Sequence, residues 1–230
     1  MALPVIQANS FTGSKMLSLS NGNNEDVESL AVETIDLWVR KILSDAAYLD
    51  IVATSKSKWN HLFNGSDWTD SNGFVRIHKG FTDVLRGITY FEYTRNPIYH
   101  NSVGFTVHNG QNSKAAEASQ IYQKATNVYN ASIRSLRCEI YDFLNFYSSI
   151  TGVITGFTDN GLGSYTILTS STKYLDNADS VTINGIDYIV SNLAEDTSFD
   201  IAADLGLSFN GSFIYKPFDE LNLPNLEIIV

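Results

Sequence analysis

The sequence is poor in the residues on which several protein classes depend. Its 230 residues include one cysteine, Cys138, so no intramolecular disulfide can form and the chain suits a reducing compartment. No run approaches the ~18–20 consecutive apolar residues that a membrane-spanning helix needs. Met1 to Leu19 lacks the basic start and apolar core of a secretion signal. A soluble protein made in a cytosol is expected, with no membrane partner. Charge is scarce as well: 17 % of residues are charged, below the usual ~25 %, and a charge-poor surface suits coverage by other protein.

Positive charge is almost missing from the last third. Residues 151–230 hold only Lys173 and Lys216 against 11 acidic residues, a balance of −9, whereas residues 1–150 hold 13 basic and 14 acidic residues. Nearly all of the net charge of −10 therefore lies in one region, which implies two parts of different construction. An acidic surface repels nucleic-acid phosphates, so sequence-specific nucleic-acid binding is disfavoured.

The arrangements that carry chemistry are also missing. His61, His78, His100 and His108 fall in predicted loops or short pieces, none at the i, i+4 spacing of a helical zinc site, and are expected as exposed polar residues. Cys138 falls in a predicted helix beside its apolar stripe, where a buried structural thiol is expected instead of a nucleophile. Neither a G-x-S-x-G elbow nor a P-loop occurs, and Gly161-Leu162-Gly163 reads as a turn. The acidic clusters Asp176–Asp179 and Glu195-Asp196 have the residue types for Ca²⁺ or for a glycosidase carboxylate pair. They lack EF-hand spacing and sit at predicted turns, so solvated turns are expected. The sequons at Asn64, Asn130 and Asn210 carry no weight without secretion. The expectation is a protein with no catalytic residue, no cofactor site and no metal site, and thus not an enzyme.

What is present is a globular composition, 43 % apolar, in a chain long enough to bury a core. Residues 1–22 are rich in Ser, Asn and Gly and form an arm that either frays or docks on a neighbour. Asn23 or Asn24 caps a helix with Glu25, Asp26 and Glu28 in its first turn and apolar positions from Val27 to Leu49. Val32, Leu37, Val39 and Leu43 make it apolar on further faces, so it is expected to be enclosed by its own domain or by a partner. A polar connector over 55–80 carries the turn signals Asn64-Gly65 and Asn72-Gly73. A helix over about 80–95 follows, stopped by Asn96-Pro97, and then an extended piece from Ser102 to His108.

Between Gly110 and Gly152 there is neither glycine nor proline, and apolar residues from Ala118 to Tyr147 keep a helical period. One rod from Ser113 to Tyr147, ~50 Å long, is expected, with a break near Asn127–Asn130 as the alternative. After Gly152 the pattern turns strand-like. Val153–Thr155, Tyr165–Leu168, Val181–Ile183, Tyr188–Val190 and Phe199–Ile201 are short β-rich runs bounded by turn residues, and Asn184-Gly185 is the strongest hairpin signal. The expected fold is α+β: an N-terminal helical bundle with one very long helix, then a small antiparallel β-barrel or sandwich module. The expected divisions are an arm at 1–22, a helical domain at 23–150, a β-module at 151–216 and an apolar tail at 217–230.

Several pieces follow one another in a telling order. Trp59-x-x-Leu62-Phe63-x-Gly65 precedes Lys79-Gly80-Phe81 and an aromatic helix ending Tyr90-Phe91-x-Tyr93. Asn101-Ser102-Val103-Gly104-Phe105-Thr106-Val107 then leads into Ser113-Lys114-Ala115-Ala116-Glu117 and, later, Tyr129-Asn130. This order resembles the head–tail connector (adaptor) ring proteins of tailed bacteriophages, of the crAss-like type that infects Bacteroidetes-type hosts. The segments 178–183 and 197–201 are similar to a small β-module of phage structural proteins. The pattern departs at His108, where a basic residue is expected.

The resemblance implies a structural virion protein of the neck, present in the host cytoplasm before assembly. It implies a closed ring of copies, twelve-fold, stacked on the portal and on other neck or tail rings. Genomic DNA would pass through the channel without specific binding. The rival expectation is a ligand- or carbohydrate-binding β-module on a helical stalk, which exposed Tyr165, Tyr174 and Tyr188 on one β-face would favour.

Overall fold

The computed structural model describes residues 3–15, 24–53, 56–95 and 114–218. The expected extended piece at 102–108, the stop at Asn96-Pro97 and most of the apolar tail lie outside the described residues.

Helix α1 (Asn24–Ile42) buries Val27, Ala31, Ile35, Trp38, Val39 and Ile42 on one side. It does not run on to Leu49 as its apolar period suggests. The Ser44 hydroxyl accepts the Ala47 N–H at 3.1 Å, capping a separate helix, α2 (Asp45–Ala53), whose first turn holds Asp45. Helix α3 (Ser57–Asn64) and an antiparallel hairpin, β1 (Ser66–Thr69) with β2 (Val75–His78), fill the expected polar connector. Asp70 holds the hairpin turn, accepting the Asn72 and Phe74 N–H groups and pairing with Arg76 at 2.9 Å. Helix α4 (Phe81–Arg95) is buried on nearly every side and packs against both α1 and helix α5 (Lys114–Ser135). Residues 3–15 lie across these helices. Ile6 and Phe11 are buried in the helical core, the Ala8 N–H donates to Glu28, and Lys15 pairs with Asp83 at 2.6 Å.

The expected single rod is not one uninterrupted α-helix. Helix α5 ends at Ser135, a π-turn occupies Leu136–Ile140, and a short helix α6 (Tyr141–Phe146) follows. The Tyr141 N–H reaches back to the Leu136 carbonyl, the wide-turn bond, and Ser135 braces the turn by donating to Glu139 at 2.7 Å. The expectation of an N-terminal bundle with one very long helix is corrected on both counts. The longest α-helix among the described residues has 22 residues, and a β-hairpin is inserted among helices of 19, 9, 8 and 15. The winding changes at 136–140 and not at Asn127–Asn130. Leu136 and Ile140 are both buried. A spacing of four fits an α-turn and a π-turn alike, so the hydrophobic period does not reveal the wide turn.

The remainder forms a seven-stranded antiparallel sheet that curls into a nearly closed barrel. Its strands are β3 (Ile150–Gly161), β4 (Ser164–Thr169), β5 (Ser180–Ile183), β6 (Ile186–Ile189), β7 (Ser191–Ala194), β8 (Ser198–Ala202) and β9 (Ser212–Tyr215). The spatial order is β6-β5-β9-β3-β4-β8-β7. The two edge strands, β6 and β7, are separated in sequence by Val190 alone, so one stretch of chain ends one edge and begins the other. That continuity draws the edges together and leaves little open backbone for unwanted pairing. Tyr165, Ile167, Val181, Phe199 and Phe213 fill the interior. At Gly152, cross-strand from Phe213, a Cβ would stand 2.1 Å from the phenyl ring, so only glycine admits that ring.

An aromatic cluster joins the two parts. Phe143 of α6 lies within 6 Å, centroid to centroid, of Trp68, His78, Tyr147, Tyr174 and Phe218. Tyr174 and Phe218 come from the β-region yet belong to the helical core.

Candidate functional site

The residues singled out from the sequence scatter, and several lie in surroundings that the sequence does not announce. His61 is exposed on α3 and packs edge-on against Tyr174 at 5.1 Å. His78, expected on the surface, is 1 % exposed at the end of β2, and neither ring nitrogen has a hydrogen-bond partner among the described residues. His100 and His108 lie outside the described residues. Cys138, expected to be buried, is exposed on the π-turn, whose inward positions are taken by Leu136 and Ile140. Among the described residues no group of His, Cys, Asp and Glu side chains is arranged to hold a metal ion, and no helix is long and apolar enough to cross a membrane.

The acidic clusters are structural ties and not free turns. Asp179 receives Lys56 at 2.7 Å and Lys58 at 3.1 Å, and its second oxygen accepts the Asp176 N–H. Lys56 also pairs with Asp50 at 3.0 Å, and Asp50 accepts the Trp59 indole N–H at 2.8 Å. Burial works against the Lys56 charge, but the bonds to Asp179 and Asp50 outweigh it and hold the ammonium above its ordinary range. Burial likewise opposes the Asp50 charge, and the Trp59 and Lys56 bonds overcome it, keeping the carboxyl below its ordinary range. Asp196 and Thr172 exchange bonds: each backbone N–H donates to the other's side chain, at 2.8 and 2.7 Å. These lysines and carboxylates neutralise one another in place. Lys56, Lys58, Asp50 and Asp179 line a cleft of about 480 Å³ between α2 and the outer barrel wall, where Ile189, Ile214 and Lys216 also lie. The arrangement fastens the barrel to the helices and presents no activated nucleophile.

Tyr165, Tyr174 and Tyr188 are 0 %, 5 % and 8 % exposed. They build the cores and offer no stacking platform on the barrel surface, which removes the feature that would favour a carbohydrate-binding module.

The informative surfaces are the ones sequence reasoning did not single out as sites. Large apolar side chains stand open on separate elements. Val32 and Leu37 of α1 are 66 % and 63 % exposed, and Leu49 and Val52 of α2 are also exposed. Phe74, Val75 and Ile77 of the hairpin are each more than 60 % exposed. The hairpin turns Trp68 and His78 inward, and in strand alternation Val75 and Ile77 fall on the opposite, outward face. Both lysines of the β-region stand beside the helical part. Lys173 lies 5.3 Å from the Tyr147 ring, and Lys216 lines the cleft against α2. The rest of the barrel surface is left to carboxylates such as Asp159, Glu195 and Asp204, all exposed. No protein-family model matches the chain, and no curated protein matches it.

Proposed function

We propose that this chain is a structural virion protein, one subunit of an oligomeric ring that joins a phage head at its portal to the tail. The observation that carries the proposal is the pair of open apolar surfaces on different elements, α1–α2 and the β1–β2 hairpin. Large apolar side chains grouped open on one element, as Phe74, Val75 and Ile77 are on the hairpin, mark places that another protein covers. Two unlike surfaces on one subunit suit two kinds of neighbour, further copies of the chain in a closed ring and the proteins stacked on it. The carboxylate-rich barrel surface supports the second half of the proposal. Facing a channel, it would repel DNA phosphates and let the genome slide past without sticking. The partners are then further copies of the chain, the portal, and the neighbouring neck or tail rings.

The test is light scattering after size exclusion over a concentration series, with and without purified portal, followed by electron microscopy. A discrete high-order ring, alone or on the portal, is the expected outcome. A monomer in both conditions overturns the proposal.

A further inference from the structure

Helix α4 is sandwiched between α1 and α5, so the outer faces of α1 and α5 form two flanks of one helical layer. Their charges are opposite. From Asn24 to Val39, α1 carries Glu25, Asp26, Glu28, Glu33 and Asp36 and no basic residue. Glu28 is engaged by the Ala8 N–H and Asp36 by Arg40 and Tyr48, whereas Glu25 and Glu33 are exposed and have no cationic partner among the described residues. Val32 and Leu37 stand open between and beside these carboxylates.

On α5 the residues from Ser119 to Ser135 include no acid. Gln120, Gln123, Lys124, Asn127, Ala131 and Arg134 recur at helical spacing along its exposed side, and a shallow groove runs from Gln120 to Ala131. Lys124 lies 5.7 Å from the Tyr90 ring, and Arg134 has no acidic partner among the described residues. Helices of 19 and 22 residues are about 28 and 33 Å long, so the two faces are similar in length and opposite in sign.

We infer that the outer face of α1 in one copy docks along the outer face of α5 in the next. Glu25 and Glu33 oppose Lys124 and Arg134, and Val32 and Leu37 cover Ala131 and the aliphatic stems around it. This inference rests on the ring proposal and names the surface through which the ring closes. Because the two faces differ, the contact is head-to-tail and each copy uses both.

Charge reversal tests it in the full chain. One variant carries Glu25→Lys with Glu33→Lys, and the other carries Lys124→Glu with Arg134→Glu. Each alone places like charges across every contact, and the concentration for half-assembly is expected to rise more than about tenfold. Mixed in equal amounts, the two restore opposite charges at both kinds of contact, and assembly is expected to return as an alternating ring. A wild-type ring that either reversal leaves intact, or a mixture that fails to reassemble, overturns the α1–α5 contact and leaves the ring proposal standing. A wild-type chain that never self-associates, with or without portal, overturns both. A second measurement covers a variant that does not fold. Carbodiimide treatment of the wild-type assembly is expected to join Lys124 to Glu25 or Glu33 of another copy, and an assembled ring without that cross-link also overturns the contact.

Discussion

The imidazole of His78 lies 4.4 Å from the Phe143 ring, centroid to centroid, and Trp68 stands 5.8 Å away. Burial among these rings, and secondarily the proximity of His61, push its pKa down to about 4. The unfolded chain titrates near 6.5 and therefore takes up this proton first as the pH falls. The stabilisation from keeping His78 neutral is complete above pH ~6.5, declines as the pH drops to about 4, and is level below that. The loss amounts to roughly 3 kcal/mol. Urea unfolding from pH 8 to pH 4 should show it as a slope that His78→Phe removes, because the phenyl ring keeps the packing and carries no proton. Parallel slopes for the two proteins would place the titration elsewhere.

Both Asp179 oxygens accept the Lys58 ammonium at 3.1 Å, and Lys58 is itself 5 % exposed. Asp179→Asn removes the countercharge from Lys58 and from one side of Lys56, and a buried pair broken from one side costs about 3–5 kcal/mol. Replacing both ends, Lys58→Met with Asp179→Leu, should recover much of that, since the buried Lys58 charge is gone and Lys56 keeps Asp50 as its partner. Chemical denaturation of the wild type, Lys58→Met, Asp179→Leu and the double replacement, a closed double-mutant cycle, reads the coupling. Equal destabilisation by the single and the double replacements would show that the pair contributes only by its volume.

Most of the helix positions were legible because their apolar residues recur at 3.6-residue spacing, and the Asn72-Gly73 and Asn184-Gly185 turns lie where those dipeptides put them. Three things were not legible, each for a physical reason. The Ser44 cap divides α1 from α2 inside an unbroken apolar period. The π-turn preserves the four-residue spacing from Leu136 to Ile140 that an α-turn would show. His78 is buried by residues far from it in sequence, Phe143 above all, so its local sequence, Arg76-Ile77 before it and Lys79-Gly80 after, gives no sign of it. The opposed flanks of α1 and α5 were present as composition, but only the placement of α4 between them shows that they are two sides of one layer.

Gly65 and Gly80 let two turns cross at van der Waals distance. Both have positive φ, +98° and +96°, and a Cβ on Gly80 would lie 2.3 Å from the Phe63 carbonyl oxygen, a backbone atom that cannot step aside. Gly80→Ala should therefore cost well over the ~1 kcal/mol that a glycine's conformational preference alone represents. Gly156→Ala is the control, because φ there is ordinary and the nearest atom is a Leu168 methyl at 3.4 Å. Thermal unfolding of the two variants should separate them by several degrees. Equal midpoints would mean that the crossing relaxes.

Tyr165 is fully buried in the barrel, yet its hydroxyl reaches the loop after β8. It donates to the Asp204 carbonyl at 2.9 Å and accepts the Gly206 and Leu207 N–H groups at 2.9 and 3.3 Å. One oxygen therefore fixes three backbone groups of a loop whose Leu205 is 71 % exposed and gives the loop little packing of its own. Tyr165→Phe keeps the ring contacts with Phe209 and Phe157 and removes only that oxygen. The freed N–H groups belong to exposed residues and can turn to water, so the expected cost is about 1–2 kcal/mol and not the sum of three buried bonds. Hydrogen exchange should accelerate at Gly206 and Leu207 while the paired amides of β3 and β4 keep their protection. Acceleration spread through those strands would instead make the hydroxyl a determinant of barrel packing. In Tyr165→Leu, by comparison, the lost ring volume should add about 2–4 kcal/mol of cavity cost and loosen the whole barrel.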